Sequence, residues 1–324
     1  MRFRRVYLLY GEEKFLVHHY EKQLRAKIIT PDTECMNLDV FDGKNFTADQ
    51  ILDAAQTVPF MSERRLVLVR GSHLFASGRK ADSERLAVFV PDIPDTAILL
   101  FIEDDVDRRG RLFKKVNEAG LAVEMKAPSE KELLDWVTNM CKKRERKVSR
   151  DTILTLLRYT AHNMESLANE MEKLFGVTSV GAEITREDIE AVCTPALETR
   201  IFDLVDAVGN KRPERALDIF SNMLLMKEQP LVILVMIARQ FRLITQSKAL
   251  AEKMRSASEI AALLCVRVFI VTECLRQANQ FTSEGLLSAL RDCLEADINI
   301  KSGRISDKLA VETLIIKYAS ALQN

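Results

Sequence analysis

The sequence is short of almost everything that marks a common enzyme class. In 324 residues it has four histidines, one tryptophan and six cysteines. Cys35, Cys141, Cys193, Cys265, Cys274 and Cys293 form no C-x-x-C pair, and the histidines lie far from most of them. A zinc site needs four clustered nitrogen or sulfur ligands, so most of the thiols are read as quiet residues of helical cores and no metal is expected. The 47 basic and 47 acidic side chains cancel, which excludes nucleic-acid affinity carried by bulk charge. Any DNA contact then needs a local patch or backbone amides. A membrane span needs roughly 18 uncharged apolar residues. The longest candidate, Leu231 to Ala238, stops at Arg239. The opening Met1-Arg2-Phe3-Arg4-Arg5 runs straight into Val6-Tyr7-Leu8-Leu9-Tyr10, too short for a signal segment and without a small-residue cleavage site. The expected location is the cytoplasm, where a disulfide framework would be unusual. No internal repeat or low-complexity tract occurs.

Catalytic sets are missing too. His18 and His19 share a predicted helix, and His73 and His162 stand alone. A triad needs nucleophile, base and orienter within mutual reach. No catalytic residue and no cofactor site is assigned.

What is present is apolar patterning. Apolar residues make up 47% of the chain, enough to bury cores, and the length suits two or three domains. The first part alternates. Strand-like Val6 to Tyr10 precedes a helical stretch from Glu12 to Ile29. Val40-Phe41 suits a second strand, and Thr47 to Thr57 a helix with Ile51, Leu52 and Ala55 on one side. Leu66 to Val69 is a buried-strand run. A helix from Lys80 to Val90 is ended by Pro91 and Pro94. Ala97 to Ile102, Arg111 to Ala119 and Leu121 to Met125 read as strand, helix and strand. Continuous apolar strands separated by helices predict a parallel sheet covered on both faces, so residues 1–126 are expected to be an α/β domain of doubly wound type.

After Lys126 only helical patterns remain. Ser129 with Glu132 forms a capping box, Ser149 and Asn163 cap two further helices, Gly176 is placed as a left-handed C-cap, and Thr185 with Asp188 opens a fourth helix. Residues 127–196 are therefore expected to be a small helical domain, and residues 197–324 a longer helical bundle able to supply an assembly interface. In that bundle Pro213 and Pro230 suit first turns. Leu231 to Ile237 is apolar almost all round, which predicts burial on several sides. Two helices, Ser283 to Ile300 and Asp307 to Leu322, close the chain around Ser302-Gly303.

An α/β sheet followed by a small helical lid is the layout of an AAA+ ATPase, which makes the phosphate loop a direct test. Such a loop needs glycines, a Lys and a Ser or Thr for magnesium. The turn after the first strand reads Gly11-Glu12-Glu13-Lys14-Phe15, with two acids where phosphates would sit, and no G-x-x-x-x-G-K-S/T occurs anywhere. Ile98 to Asp105, ending in Glu103, Asp104 and Asp105, imitates a magnesium-holding strand but reads as a solvated turn. Lys142-Lys143-Arg144-Glu145-Arg146-Lys147 is the one basic run. It is read as a solvated helix end, with phosphate contact as the alternative.

The loop between the helix ending near Thr57 and the strand at Leu66 carries Val58-Pro59-Phe60-Met61. Connecting loops usually carry polar turn residues. Four apolar residues with a rigid proline either tuck into the core or form an exposed aromatic anchor for a pocket on a partner.

Several ordered segments together resemble a known family. They are Tyr7-Leu8-Leu9-Tyr10-Gly11-Glu12-Glu13, then Pro59 to Val69, then Phe202-Asp203-Leu204-Val205-Asp206-Ala207 with Ala216-Leu217, then Arg239 to Ile244, and finally Asp297 to Gly303. Each is weak alone, but in this order and spacing the chain resembles, nearly end to end, the delta subunit of the bacterial DNA polymerase III clamp loader. The resemblance implies an AAA+-like fold without a working nucleotide site, three domains, and a C-terminal domain that joins a collar with delta prime and gamma/tau subunits. It implies that the N-terminal domain grips the beta sliding clamp and helps open it near primer–template DNA, while sister subunits hydrolyse ATP. It also implies a clamp anchor at Pro59 and Phe60, flanked by Val58 and Met61. Family members often have Leu-Phe at this place, so Pro59 is a departure. Leu74-Phe75, in His73 to Ser77, is the alternative anchor, although it follows the strand instead of preceding it.

Overall fold

The computed structural model describes residues 3–253 and 256–320, and the chain divides into two compact units that part at Pro128 and Ser129. In the first unit β1 (Val6–Tyr10), β2 (Leu38–Asp42), β3 (Arg65–Arg70), β4 (Ala97–Glu103) and β5 (Leu121–Glu124) form one sheet in the order β2-β3-β4-β1-β5. Every pairing is parallel; Val6 faces Leu99, Tyr7 faces Leu121, Leu66 faces Ile98 and Leu38 faces Leu66. The doubly wound expectation holds.

β1, β3 and β4 carry continuous apolar runs, Val6–Tyr10, Leu66–Val69 and Ala97–Ile102, because both faces of the sheet are covered there. Val6, Leu8, Val67, Val69, Leu99 and Phe101 pack on Ile51, Leu86, Leu112 and Val116. The alternate residues Tyr7, Leu9, Leu66, Leu68, Ile98 and Leu100 pack on the opposite face with Val17 and Ile28. Each such side chain, once buried, contributes about 1.5–3 kcal/mol. The flanking helices on the first face are Ala48–Gln56, Lys80–Phe89 and Arg111–Ala119; Lys14–Ile28 covers the second. Thr47 and Gln50 form a capping box that starts the first of these, and Pro91 ends the second in a single tight turn, Val90–Asp92.

The second unit is helical apart from two paired two-residue strands, Lys147–Val148 and Glu183–Ile184. Ser129, Ser149, Asn163 and Thr185 cap helices Glu130–Lys143, Arg150–Tyr159, Met164–Val177 and Arg186–Val192, each accepting a backbone N–H as its sequence position predicted. Gly176 is a correction. It lies inside its helix, which runs to Val177 and ends at Thr178 with an ordinary extended φ of −95°. Burial of Met171, Leu174 and Phe175 carries the helix through the glycine.

The remaining helices are Leu197–Gly209, Pro213–Leu225, Pro230–Ala251, Ala257–Leu264, Val268–Ala278, Ser283–Lys301 and Asp307–Ser320. Leu322, at the predicted end of the last one, lies outside the described residues. Their core gathers Val205, Phe220, Ile233, Ile237, Phe241 and Val311. In the segment Leu231 to Ile237, Ile233, Leu234 and Ile237 lie in the core with Leu231 and Met236 packed against it, while Val232 and Val235 are exposed. The two helical parts are tied by Ala196 N–H and Thr199 Oγ1, which donate to the carbonyls of Tyr159 and Arg158 at 2.7 and 2.6 Å. Arg267 donates to the carbonyl of His162 at 2.6 Å, and the His162 ring stacks on Phe269 at 3.9 Å.

All six cysteines are free thiols. Cys141, Cys193, Cys274 and Cys293 are buried, and burial pushes the first up to about 11 and the other three to about 12. Cys35 and Cys265 are exposed, so the core reading holds for four of the six. Among the described residues no helix is long and apolar enough to cross a membrane.

Candidate functional site

The apolar loop is built from both ends. Helix Ala48–Gln56 stops because Thr57 folds back, its N–H and Oγ1 both donating to the Asp53 carbonyl at 3.1 and 2.7 Å. Val58 precedes a proline and is biased to extended backbone, and Pro59 fixes its own φ. At the far end Arg65 opens β3 with a buried side chain. It pairs with Asp39 on β2 and reaches back to the Thr57 carbonyl at 3.2 Å.

Between these ends sits the main restraint. Asn37, which ends the short helix Glu34–Asn37, is 0% exposed. Its Oδ1 accepts the Phe60 N–H at 2.8 Å and its Nδ2 donates to the Phe60 carbonyl at 2.9 Å. One side-chain amide thus satisfies both backbone groups of the aromatic residue. Met61 follows in left-handed backbone, φ +48°, which turns the chain towards β3.

With the backbone held inward, the side chains are left outside. Val58 is 80% exposed, Phe60 52% and Met61 82%, with Pro59 half-buried. The four residues are therefore brought together on one ordered loop. Leu74 and Phe75 are not comparable. They are 1% and 4% exposed, and Phe75 meets Phe101 edge to face at 5.0 Å within the sheet core. They present no anchor in this structure.

The turn where an ATPase would cradle phosphate does not fit one. Its amides have protein partners: Gly11 N–H donates to the Glu103 carbonyl at 3.3 Å, Glu13 N–H to Met125 at 3.0 Å, and Lys14 N–H to Glu12 at 3.1 Å. Gly11 holds φ +123°, and a Cβ there would lie 2.5 Å from the Met125 oxygen, so the chain closes on itself where a ligand would enter. The acids after β4 also have protein work. Glu103, 4% exposed, accepts from Ser72 N–H at 3.0 Å and His73 N–H at 3.2 Å, and from the Ser72 hydroxyl. Burial holds its carboxyl above the ordinary glutamate range. Asp104 pairs with Lys14, and Asp105 accepts from the Val106 N–H at 2.8 Å. Among the described residues no three His, Cys, Asp or Glu side chains gather as a metal site would require.

The basic run divides into two roles. Arg146 donates to the carbonyls of Arg144, Phe175 and Thr178 at 2.5, 3.2 and 2.8 Å. Arg144 pairs with Glu172 at 3.0 Å, and both guanidiniums lie over the Phe175 ring. Lys142, Lys143 and Lys147 are exposed. The run is thus partly the brace of its own helical unit. Asn37 is the residue of this loop's support that the sequence did not single out; an asparagine before a strand reads as a turn residue, and its partner Phe60 is distant in sequence.

Comparison with known proteins agrees with this architecture. Family models for the DNA polymerase III delta subunit match residues 7–126, and for its C-terminal domain residues 198–318. The DNA polymerase III subunit delta of Bacillus subtilis is 29% identical over 319 residues, covering 96% of this chain and 92% of that protein. The probable subunit delta of Aquifex aeolicus is 23% identical over 255 residues, 77% of this chain and 72% of its own. The solved structure of the Bacillus subtilis DNA clamp loader delta protein superposes with a TM-score of 0.81 at 27% identity, covering 98% of this chain and 96% of that one. A parallel sheet of this order with a closed phosphate turn, a helical region after it, and family matches over residues 7–126 and 198–318 have one consistent assignment: the chain belongs to the DNA polymerase III delta-subunit family.

Proposed function

We propose that this chain is the subunit of a clamp loader that grips the beta sliding clamp through Val58, Pro59, Phe60 and Met61 and helps open it, without hydrolysing ATP itself. The observation that carries the reading is the pinned loop with Phe60 half-exposed and Val58 and Met61 nearly bare. An aromatic ring on a backbone that is already ordered is the form an interface anchor takes, because little conformational freedom is lost on docking. Docking then favours a clamp state with a weakened ring interface, by no more than the difference in affinity for the closed and open states.

The non-catalytic part of the reading rests on the phosphate turn, where the Gly11, Glu13 and Lys14 amides already donate to protein carbonyls and the exposed Glu12 carboxylate would repel a triphosphate. Nucleotide hydrolysis is left to sister subunits, and any place under DNA-directed DNA polymerase or transferase activity comes from the holoenzyme. On this reading residues 1–126 bind the clamp, 127–196 form a lid and 197–324 join a collar with delta prime and gamma/tau subunits in the cytoplasm, near primer–template DNA. The test is binding of the whole chain to its cognate clamp, wild type beside Phe60→Ala. Loss of binding in the variant supports the reading. Equal binding removes the loop from the interface, and nucleotide turnover by the chain alone removes the rest.

A further inference from the structure

We propose that Asn37 is the positioning residue of the apolar loop: it sets the Phe60 backbone in its docking geometry, and so sets clamp affinity without touching the clamp. This rests on the reading of the loop as the clamp anchor. The argument starts from satisfaction. A side-chain amide has one acceptor and two donors, and both hydrogen bonds that Asn37 makes to Phe60 have good geometry at 2.8 and 2.9 Å. Loop backbone groups usually turn to water, which leaves a loop free to move. Here the pair acts as a one-residue piece of sheet between Asn37 and Phe60, made by a side chain in place of a strand.

Asn37 itself has little room to move. It is fully buried, and Leu38, the next residue, is already in register with Leu66 on β3. The restraint on Phe60 is therefore referred to the sheet, as is the restraint on Thr57 through Arg65. The stretch between these two fixed points holds Val58 and Pro59, and Pro59 has no amide hydrogen and a fixed φ. Met61, in left-handed backbone, is the residue most in need of such support, because a non-glycine side chain persists there only when its surroundings hold it.

Removing the amide leaves the ring in place but frees its backbone. If the docking-competent geometry then falls to about a tenth of the population, the apparent dissociation constant rises about tenfold. The experiment pairs clamp binding with hydrogen exchange of the Phe60 amide in the free chain. For Asn37→Ala the expected result is about tenfold weaker binding and faster exchange at Phe60, with exchange along Leu66 to Val69 unchanged. Asn37→Asp gives a readout that simple structural damage would not. Its ionised carboxylate still accepts from the Phe60 N–H but opposes the Phe60 carbonyl, and burial raises its pKa. Protonation restores the missing donor, so binding by this variant should recover between pH 8 and pH 5.5 relative to wild type, while Asn37→Ala stays flat. The nearby ion pairs Asp39–Arg65 and Glu34–Arg25 are common to all three chains and cancel.

Unchanged affinity in Asn37→Ala with Phe60 exchange accelerated overturns the proposal, as does a flat ratio for Asn37→Asp. Should Asn37→Ala not fold, Asn37→Asp alone decides by its pH ratio. Phe60→Ala run in parallel separates the two claims. Normal binding there removes the anchor reading and the proposal with it. Weak binding there with normal binding in Asn37→Ala removes the proposal only.

Discussion

Truncating Phe60 to alanine is the perturbation whose magnitude the structure fixes best. A phenylalanine side chain offers about 200 Å² for burial. Phe60 is 52% exposed, so roughly 100 Å² remains for a partner to cover. At about 25 cal/mol per Å² the docking term is about 2.5 kcal/mol, or roughly 60-fold in affinity. That agrees with the range of an aromatic hot spot. The loss should fall mainly on the dissociation rate. The covered half of the ring limits the folding stability lost to about the same 2.5 kcal/mol, an upper figure because unfolded chains already bury some surface. The backbone bonds to Asn37 do not involve the ring and should persist. The assay is surface plasmon resonance with immobilised cognate clamp, well below the variant's unfolding temperature, with Phe60→Leu as a companion that restores most of the apolar area. A dissociation constant within threefold of wild type, in a variant that is folded by circular dichroism, would refute the reasoning.

Other outcomes follow from separate features. Gly11→Ala forces a side chain into a backbone at φ +123° and against the Met125 oxygen; urea unfolding should show a loss of more than about 1–3 kcal/mol, the usual cost of the backbone strain alone. Arg146→Ala strips donors from three carbonyls and should cost about 2–3 kcal/mol, whereas Lys142→Ala and Lys143→Ala should stay within about 0.5 kcal/mol of wild type in the same measurement. Burial, the largest influence on His162, lowers its pKa below the ordinary 6.5, against the pull of Glu130. The folded chain then resists a proton that the unfolded chain accepts, so this contribution to stability is complete above about pH 6.5 and is lost as pH falls through the depressed value. Thermal melts from pH 7.5 to 5 should show the slope, and His162→Phe, which keeps an aromatic ring on Phe269, should flatten it.

The parts of the molecule that could be read from sequence are those with a local cause. Leu66 to Val69 and Ala97 to Ile102 announce buried parallel strands because every residue is apolar, and the two-faced packing is the reason they must be. Ser129, Ser149, Asn163 and Thr185 were legible as caps because a cap and its amide are three residues apart. Gly176 misled because packing of Phe175 outweighs a local preference, and the apolar composition of Leu231 to Ile237 could not say which residues, Val232 and Val235, stay exposed. The candidate loop was visible as four apolar residues where polar ones are usual, but composition could not tell outward from inward. That was decided by Asn37 and Arg65, whose partners lie far along the chain. The same limit hid the fate of Leu74 and Phe75, which the turn held by Glu103 leads into the core.

The sheet order has a consequence for how the protein is made. β1 is an interior strand, yet it is synthesised before the strands on either side of it, and its partners arrive only with Leu99 and Leu121. Until the ribosome has passed β4, the nascent Val-Tyr-Leu-Leu-Tyr segment has two open hydrogen-bonding edges, and one of them stays open until β5 follows. Such a segment is sticky, and pairing across so long a stretch of chain is slow. Birth of this subunit should therefore lean on chaperones that shield the growing polypeptide, and slowing translation just before β5 should raise the share lost to aggregation.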